Sequence, residues 1–87
     1  MRKVDKARML GHNLSQEQIS LLYYLWAKND STSYCSLVNS ETCYKNTDYL
    51  TGAMNLYADG FLEIDDNDAS SYRLSKTGRI LIMQLGM

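Results

Sequence analysis

The sequence contains no apolar run that reaches the roughly 18 residues needed to cross a bilayer. Its basic start, residues 1–16, is followed by no apolar stretch of the kind that a secretory signal contains. We therefore expect neither a membrane span nor a secretory signal. Two cysteines in a chain without a signal are typical of the reducing cytoplasm, and we predict that location.

Residues with catalytic or metal-binding chemistry are also few. His12 is the single histidine, and Cys35 and Cys43 lie eight positions apart, which matches no zinc-site spacing. The chain has no nucleophile elbow, no phosphate-binding loop and no pair of carboxylates in an apolar segment. The sequence thus predicts neither an enzyme nor a bound metal or cofactor. We interpret the cysteines as small buried apolar residues, with a redox-sensing pair as the alternative.

Charge is unevenly distributed along a chain whose composition is otherwise ordinary. Its 87 residues are 45% apolar and 22% charged, as expected of one globular domain. The net charge of −1 combines +3 over residues 1–8, −7 over residues 9–70 and +3 over residues 71–87. A nucleic-acid-binding protein needs positive charge at its contact surface. DNA binding would therefore require the basic ends to fold onto the surface that meets the DNA.

The clearest helix begins after Ser15. Ser15 and Gln18 form a capping box, and Leu14 with Ile19 forms a hydrophobic staple around it. The residues predicted to face the core recur at helical spacing. They are Ile19, Leu22, Tyr23 and Trp26.

More apolar residues are present in the first and last helices than one inner face requires. This surplus predicts a homodimer that forms through these two helices. The surplus residues are Leu21, Tyr24, Leu25, Ile82 and Met83.

Two further helices are predicted downstream. The segment 31–33 supplies caps for a short second helix carrying Tyr34, Leu37 and Val38. After the turn NSETCYKN, Asn46 or Thr47 caps a third helix, which a left-handed Gly60 ends. The third-helix residues predicted to face the core are Leu50, Ala53, Met54 and Tyr57.

The pattern changes from helical to extended after Gly60. Two short runs, FLEI and SYRL, flank the polar turn DDNDAS and predict a β-hairpin. Ser75 then caps a last helix, KTGRILIMQLG. Three helices, a hairpin and a further helix around one core form an α+β arrangement.

Two segments resemble the winged helix-turn-helix superfamily, especially regulators of the MarR and ArsR type. In those proteins the recognition helix typically ends in a leucine, three residues and a glycine followed by an apolar strand, as in LYADGFLEI at 56–64. The second wing strand typically leads into a leucine, a serine or threonine, two residues, a glycine and a basic residue, as in YRLSKTGRILI at 72–82. The resemblance implies a winged helix-turn-helix domain over residues 14–87, with three helices, a two-stranded β-wing and a C-terminal helix. A basic arm or short helix would precede it at residues 1–13.

The resemblance also implies a function. The first hypothesis is a dimeric DNA-binding transcriptional regulator whose third helix enters the major groove of double-stranded DNA. The basic arm and a strand arginine would hold the phosphate backbone. An ordinary solvated helix face is the alternative for the third-helix positions. The predicted DNA-binding residues are Lys45, Asn46, Tyr49, Thr51, Gly52, Asn55, Arg73, Arg2 and Lys3.

The predicted wing tip opposes DNA binding, because Asp65, Asp66 and Asp68 would lie beside phosphates. The alternative is a winged helix used for protein–protein interaction, such as a small phage- or plasmid-encoded inhibitor of host machinery, with these acids as its contact surface. The tip also resembles a loose cation-binding loop, but it lacks the glycine and the downstream glutamate of a calcium loop. We interpret it as a solubilising turn. Winged helices bind DNA, RNA and proteins, so the fold alone does not decide.

Overall fold

The computed structural model describes residues 2–28, 34–36 and 47–86, except for the side chains of residues 47–49. In this part of the chain four helices pack around a three-stranded antiparallel sheet, which confirms the predicted α+β class. The elements in chain order are α1 (Lys3–Met9), α2 (Gln16–Lys28), β1 (Cys35–Ser36), α3 (Thr47–Ala58), β2 (Leu62–Asp65), β3 (Asp68–Leu74) and α4 (Lys76–Leu85).

The start of α2 is built as its capping box predicts. The Ser15 amide donates to Gln18 Oε1 at 2.9 Å, and the Gln18 amide donates to Ser15 Oγ at 3.2 Å. Leu14 and Ile19, the two residues of the staple, are both buried. Local side-chain chemistry therefore determines where this helix begins.

The buried face of α2 is wider than one stripe. Leu21 and Leu25, which the sequence suggested were surplus, are buried in the core of a single copy, as is Ile82 of α4. Tyr23 and Trp26 are only half-buried. The reason is that α2 packs against α3, α1, α4 and the sheet, so it needs apolar side chains on more than one side.

The segment 35–36 is a strand, and the prediction that a helix begins there is wrong. β1 pairs antiparallel with β3, with Cys35 opposite Tyr72, so the strand order is β1-β3-β2 and the sheet has three strands instead of two. The open edge of β3 offers hydrogen-bond partners to this backbone, and they outweigh the local capping signal of the serines before it. Leu37 and Val38 lie outside the described residues.

The end of α3 and the start of α4 are held together. Gly60 has a φ of +87°, and the Phe61 amide donates to the Leu56 carbonyl at 2.9 Å, so α3 ends as predicted. Ser75 Oγ accepts from the Gly78 amide at 3.0 Å, which makes Ser75 the predicted N-cap of α4. The same hydroxyl donates to the Gly60 carbonyl at 2.6 Å. The segments 56–64 and 72–82 thus contact each other directly.

The basic N-terminal segment forms a short helix, α1, that packs on α2 and α4. Ala7 is fully buried, and Val4 packs against the core. The Lys3 ammonium lies 5.4 Å from the ring centre of Tyr23, whose hydroxyl donates to the Gly86 carbonyl at 2.9 Å. The start of α1 therefore lies beside the end of α4.

Candidate interaction surface on α3 and the hairpin

α3 presents a different face to the core from the one that its apolar spacing predicts. Ala53 and Leu56 are fully buried and Leu50 is half-buried. Met54, in contrast, is 64% exposed and Tyr57 is 48% exposed. The prediction that Met54 and Tyr57 face the core is therefore wrong.

The packing of Gly52 against α2 explains this orientation. Gln18 Nε2 donates to the Gly52 carbonyl at 3.4 Å, and a Cβ at position 52 would lie 3.0 Å from Gln18 Cγ. Gln18 of α2 thus packs directly on the backbone of α3 at a position where α3 has no side chain. Gly52 is consequently buried, and its predicted place on the outer, DNA-facing side of the helix is wrong.

The outer face of α3 is uncharged over the described side chains, residues 50–58. Thr51 and Asn55, which were predicted to contact DNA, are both exposed there, one turn apart. Met54 and Ala58 lie exposed beside them. The face therefore combines two hydrogen-bonding side chains with an exposed thioether.

Tyr57 connects this face to the hairpin. The pKa of Tyr72, on β3, is raised above its ordinary value by burial and, second, by the neighbouring Tyr57 phenol. α3 also packs on β2. α3 and the hairpin are thus neighbours, and we call a set of their exposed and half-buried side chains together the α3–hairpin surface. Its members are Thr51, Met54, Asn55, Tyr57, Ala58, Asp65, Asp66 and Asp68.

Hydrogen bonds fix the carboxylates at the hairpin tip. Asp65 Oδ1 accepts from the Asn67 amide at 2.9 Å. Asp68 Oδ1 accepts from the Ser70 hydroxyl at 2.6 Å and from the Ser70 amide at 3.0 Å, and its Oδ2 accepts from the Ser71 hydroxyl at 2.8 Å. Hydrogen bonds from the Ser70 and Ser71 side chains, and then from the Ser70 backbone, lower the pKa of Asp68. Asp68 is therefore a stable negative charge.

Arg73, which was predicted to hold phosphate, is engaged within the sheet. Its Nε lies 3.2 Å from Glu63 Oε1 across the hairpin, and its guanidinium carbon lies 4.4 Å from the ring centre of Tyr34. The Arg73 side chain is only 25% exposed. The structure thus places this cation beside an acid and over an aromatic ring.

The N-terminal cations predicted to contact DNA lie on α1. Arg2 Nε is 3.3 Å from Asp5 Oδ2, and Lys3 lies over Tyr23. The structure therefore brings these cations to α2 and α4, the helices on which α1 packs. Three other predicted DNA-binding groups lie outside the described part of the chain, namely Lys45, Asn46 and the side chain of Tyr49.

Sequence reasoning missed that the two basic ends meet in space. α1 packs on α4, so the two helices that carry these cations are neighbours. Exposed apolar side chains accompany these cations: Met9 is 73% exposed, Leu10 43%, Ile80 45% and Met83 54%. In the sequence, the net charge of +3 at each end was the feature that could have indicated this contact. The described cations of α1, of the residue before it and of α4 are Arg2, Lys3, Lys6, Arg8, Lys76 and Arg79.

The described residues offer few other groups that could bind a metal ion or react. They contain no group of three His, Cys, Asp or Glu side chains that could hold a metal ion. Cys35 is a free, half-buried thiol on β1, whereas Cys43 lies outside the described residues. A cleft of about 390 Å³ separates the α1–α2 loop from the end of α3, and His12 packs edge-on against Phe61 there at 5.2 Å.

Comparisons of the chain with protein-family models, with curated protein sequences and with solved structures find no match. Among the described residues, no helix has both the length and the apolar character needed to cross a membrane. The fold, the α3–hairpin surface and the positions of the described cations are thus the basis for any functional conclusion.

Proposed function

We propose that this chain is a winged-helix module that binds a partner protein through the α3–hairpin surface. The order of elements is compatible with a winged helix: α2, β1, α3 and the β2–β3 hairpin follow one another, and β1 pairs with β3. In such a fold α3 would be the recognition helix and the hairpin would be the wing. The fold supplies the surface, and the side chains on that surface decide what it binds.

The separation of charge carries this proposal. DNA binding through α3 needs cations beside that helix, because phosphate contacts dominate the affinity for DNA. The described cations of α1 and α4 lie on helices that pack on each other and on α2, and Arg73 pairs with Glu63. The hairpin on which α3 packs carries fixed carboxylates at its tip, such as Asp68.

The composition of the surface fits a protein partner. Tyrosine and methionine are enriched in the cores of protein interfaces and charged residues are depleted there, whereas charges line the rim. Met54 and Tyr57 are the large exposed apolar side chains of α3, and the acids lie on the hairpin that α3 packs against. Acids at a rim steer a partner of opposite charge. The expected partner therefore has an apolar centre surrounded by lysine or arginine.

Double-stranded DNA is the second candidate, in which case the chain would be a transcriptional regulator. The observation that favours it is the exposure of Thr51 and Asn55 one turn apart on α3. Asparagine can bond an adenine edge through two hydrogen bonds, and threonine can contact bases or a thymine methyl group. The hairpin acids would repel the neighbouring phosphates in such a complex.

Capture with matched variants tests the first candidate. Met54→Asp puts a charge within the proposed surface, and Met83→Asp puts the same charge on a methionine of α4 that is also more than half exposed. A partner captured from a lysate of the source cells by the parent and by Met83→Asp, but lost with Met54→Asp, supports the proposal. Capture that is insensitive to Met54→Asp contradicts it.

Duplex titration tests the second candidate in parallel. Fluorescence anisotropy measures binding to random and genomic duplexes. The titration is made at about 50 mM salt, because low salt strengthens any contact between the protein and the phosphates. For a DNA-binding protein, Asn55→Ala costs about 1–3 kcal/mol on the best site only. We expect the parent to show no measurable duplex binding under these conditions, and submicromolar binding that Asn55→Ala weakens would replace the first proposal with the second.

A further inference from the structure

The cleft between the α1–α2 loop and the end of α3 has one acid in its wall. Its volume of about 390 Å³ is within the usual range for a site that holds a small molecule, and it is ample for one side chain. Among the described residues of the wall, Asp59 is the one acid, and none is a lysine or an arginine. The described lining residues are Gly11, His12, Asn13, Leu14, Asp59 and Phe61.

The Asp59 carboxylate has no partner among the described residues. The side chain is exposed and takes part in none of the ion pairs between them. The backbone, in contrast, is held by a hydrogen bond from the Asp59 amide to the Asn55 carbonyl at 3.0 Å. A carboxylate that is positioned but unpaired keeps both oxygens available to a donor from outside the chain.

Two cations lie close to this region along the backbone, but neither lines the cleft. Arg8 is in the last turn of α1, and its guanidinium nitrogen lies 3.9 Å from an oxygen of Asp5. Lys76 follows the serine whose hydroxyl bonds the Gly60 carbonyl. Neither cation forms an ion pair with Asp59. The negative charge of Asp59 is therefore not compensated by an ion pair within the described part of the chain.

Two helices end at the walls of this cleft. The His12 amide donates to the Ala7 carbonyl and closes the end of α1, and the Phe61 amide donates to the Leu56 carbonyl and closes the end of α3. The C-terminal end of a helix carries about half a negative charge, because its last carbonyls have no partner within the helix. The backbone therefore adds to the negative potential that Asp59 creates.

The other lining groups favour a guanidinium over an ammonium group. The His12 and Phe61 rings lie edge to face with their centres 5.2 Å apart, and Asn13 is a lining residue with an amide oxygen that accepts hydrogen bonds. A guanidinium donates from five N–H groups in one plane and stacks on aromatic rings, whereas an ammonium is a compact charge with three donors. Only the guanidinium can bond a carboxylate through two parallel hydrogen bonds.

We infer that this cleft binds an arginine side chain of the partner protein. The inference rests on the proposed function, because Ala58, the residue before Asp59, is an exposed member of the α3–hairpin surface. A partner that covers the outer face of α3 therefore reaches the cleft at the end of that helix. The guanidinium donates to the Asp59 carboxylate, which assigns one of the basic groups expected around the apolar centre of the partner.

Nuclear magnetic resonance of His12 tests the site without the partner. His12 is the only histidine, so its ring signals report directly on the cleft. The two probes are N-acetyl-arginine amide and N-acetyl-citrulline amide, which has nearly the same shape but no charge. Each probe is added to the parent chain at constant pH, since histidine signals also move with protonation. Sodium chloride keeps the ionic strength equal in the two titrations.

We expect the arginine probe to shift the His12 signals along a saturating curve with a Kd of the order of 10 mM, and the citrulline probe to shift them about tenfold less. Asp59→Asn keeps the size of the side chain and should weaken both the arginine titration and the capture of the partner about tenfold. Glu63→Gln removes an acid outside the cleft and should leave the arginine titration unchanged. Circular dichroism checks that both variants are folded.

Other outcomes overturn the inference. Equal shifts with both probes, or shifts that persist in Asp59→Asn, mean that the cleft does not recognise the charge of a guanidinium. No shift of His12 up to about 200 mM probe, roughly twenty times the expected Kd, excludes the site, and the capture result with Met54→Asp then decides the proposed function by itself. The comparison of the two probes on the parent needs no variant, so it decides the question even if Asp59→Asn does not fold.

The capture assay separates the site from its assignment to the partner. Capture that is unaffected by Asp59→Asn means that the partner does not use the cleft. Arginine binding through Asp59, together with capture that is insensitive to Met54→Asp, contradicts the proposed function and with it the assignment of the arginine to the partner protein.

Discussion

The carbonyl oxygen of Phe61 occupies the space in which a Cβ on residue 78 would lie, so only glycine fits at Gly78. The same oxygen accepts a hydrogen bond from the Ser75 amide at 3.1 Å. The first turn of α4 is thereby packed onto the backbone at which α3 gives way to the hairpin. This contact explains why the segments 56–64 and 72–82 occur together in one fold, because each supplies half of it.

Gly78→Ala should destabilise the protein by about 2–3 kcal/mol, because the clash is with backbone that cannot rotate away. Gly52→Ala is the matched control. Its Cβ would meet Gln18 Cγ at 3.0 Å, and that side chain can shift, while alanine gains about 1 kcal/mol of helix propensity. Urea unfolding should show Gly52→Ala within about 1 kcal/mol of the parent. Equal losses for the two variants would mean that the Phe61 contact is absent in solution.

Leu22→Ala should cost more stability than Trp26→Ala, although tryptophan is the larger residue. Leu22 is completely buried, so its truncation should cost about 2–5 kcal/mol. Trp26 is only half-buried on the edge of the core, and its loss should cost about 2 kcal/mol, less than the usual range for a buried tryptophan. Thermal unfolding of both variants ranks them. The reverse order would contradict the orientation of α2 described above, in which Leu22 is buried and Trp26 is half-buried.

Arg73→Ala should lower stability by about 1–2 kcal/mol, because the side chain packs on Tyr34 and pairs with Glu63. Glu63→Gln removes only the ion pair of a half-exposed carboxylate and should cost no more than about 1 kcal/mol. Because we expect the parent to show no measurable duplex binding, neither change should affect a duplex titration. Duplex binding by the parent whose salt dependence flattens by about one unit of slope in Arg73→Ala would instead assign a phosphate contact to this arginine.

Protonation of Asp68 at acidic pH should lower the stability of the folded protein. Its hydrogen bonds with Ser70 and Ser71 lower its pKa in the folded protein, so the carboxylate stabilises the fold above the unfolded pKa of about 3.9. This contribution is lost as the pH falls through the lower, folded value. Nuclear magnetic resonance titration should therefore place the Asp68 midpoint below about 3.9, and the double change Ser70→Ala and Ser71→Ala should raise it. An unchanged midpoint in the double variant would contradict the hydrogen-bonding scheme.

The prediction of α3 shows where sequence reasoning succeeded and where it failed. The helix and its glycine stop at Gly60 were predicted from residues that lie within a few positions of each other. The face that α3 turns toward the core was not predicted correctly, because Met54 and Leu56 are both apolar and either could point to the core. The packing of Gln18 against Gly52 selects Leu56, and these two residues are 34 positions apart.

The interaction surface shows the same division. The acidic tip was visible as a run of aspartates, and Thr51 and Asn55 were assigned correctly to an exposed face. The position of the basic ends was not visible, since nothing near Arg2 or Arg79 in the sequence indicates which helix each one lies against. The pairing of Arg73 with Glu63 likewise depends on the register between β2 and β3.

The sequence by itself determined the α+β class, the start of α2, the hairpin, the cap of α4 and the uneven distribution of charge. These follow from capping, turn formation and composition, whose physical causes act between residues close together in the chain. Only the tertiary structure decided the strand β1, the orientation of α3 and the meeting of α1 with α4. Each of these depends on contacts between residues far apart in sequence, where burial and backbone pairing in the folded chain outweigh local preference.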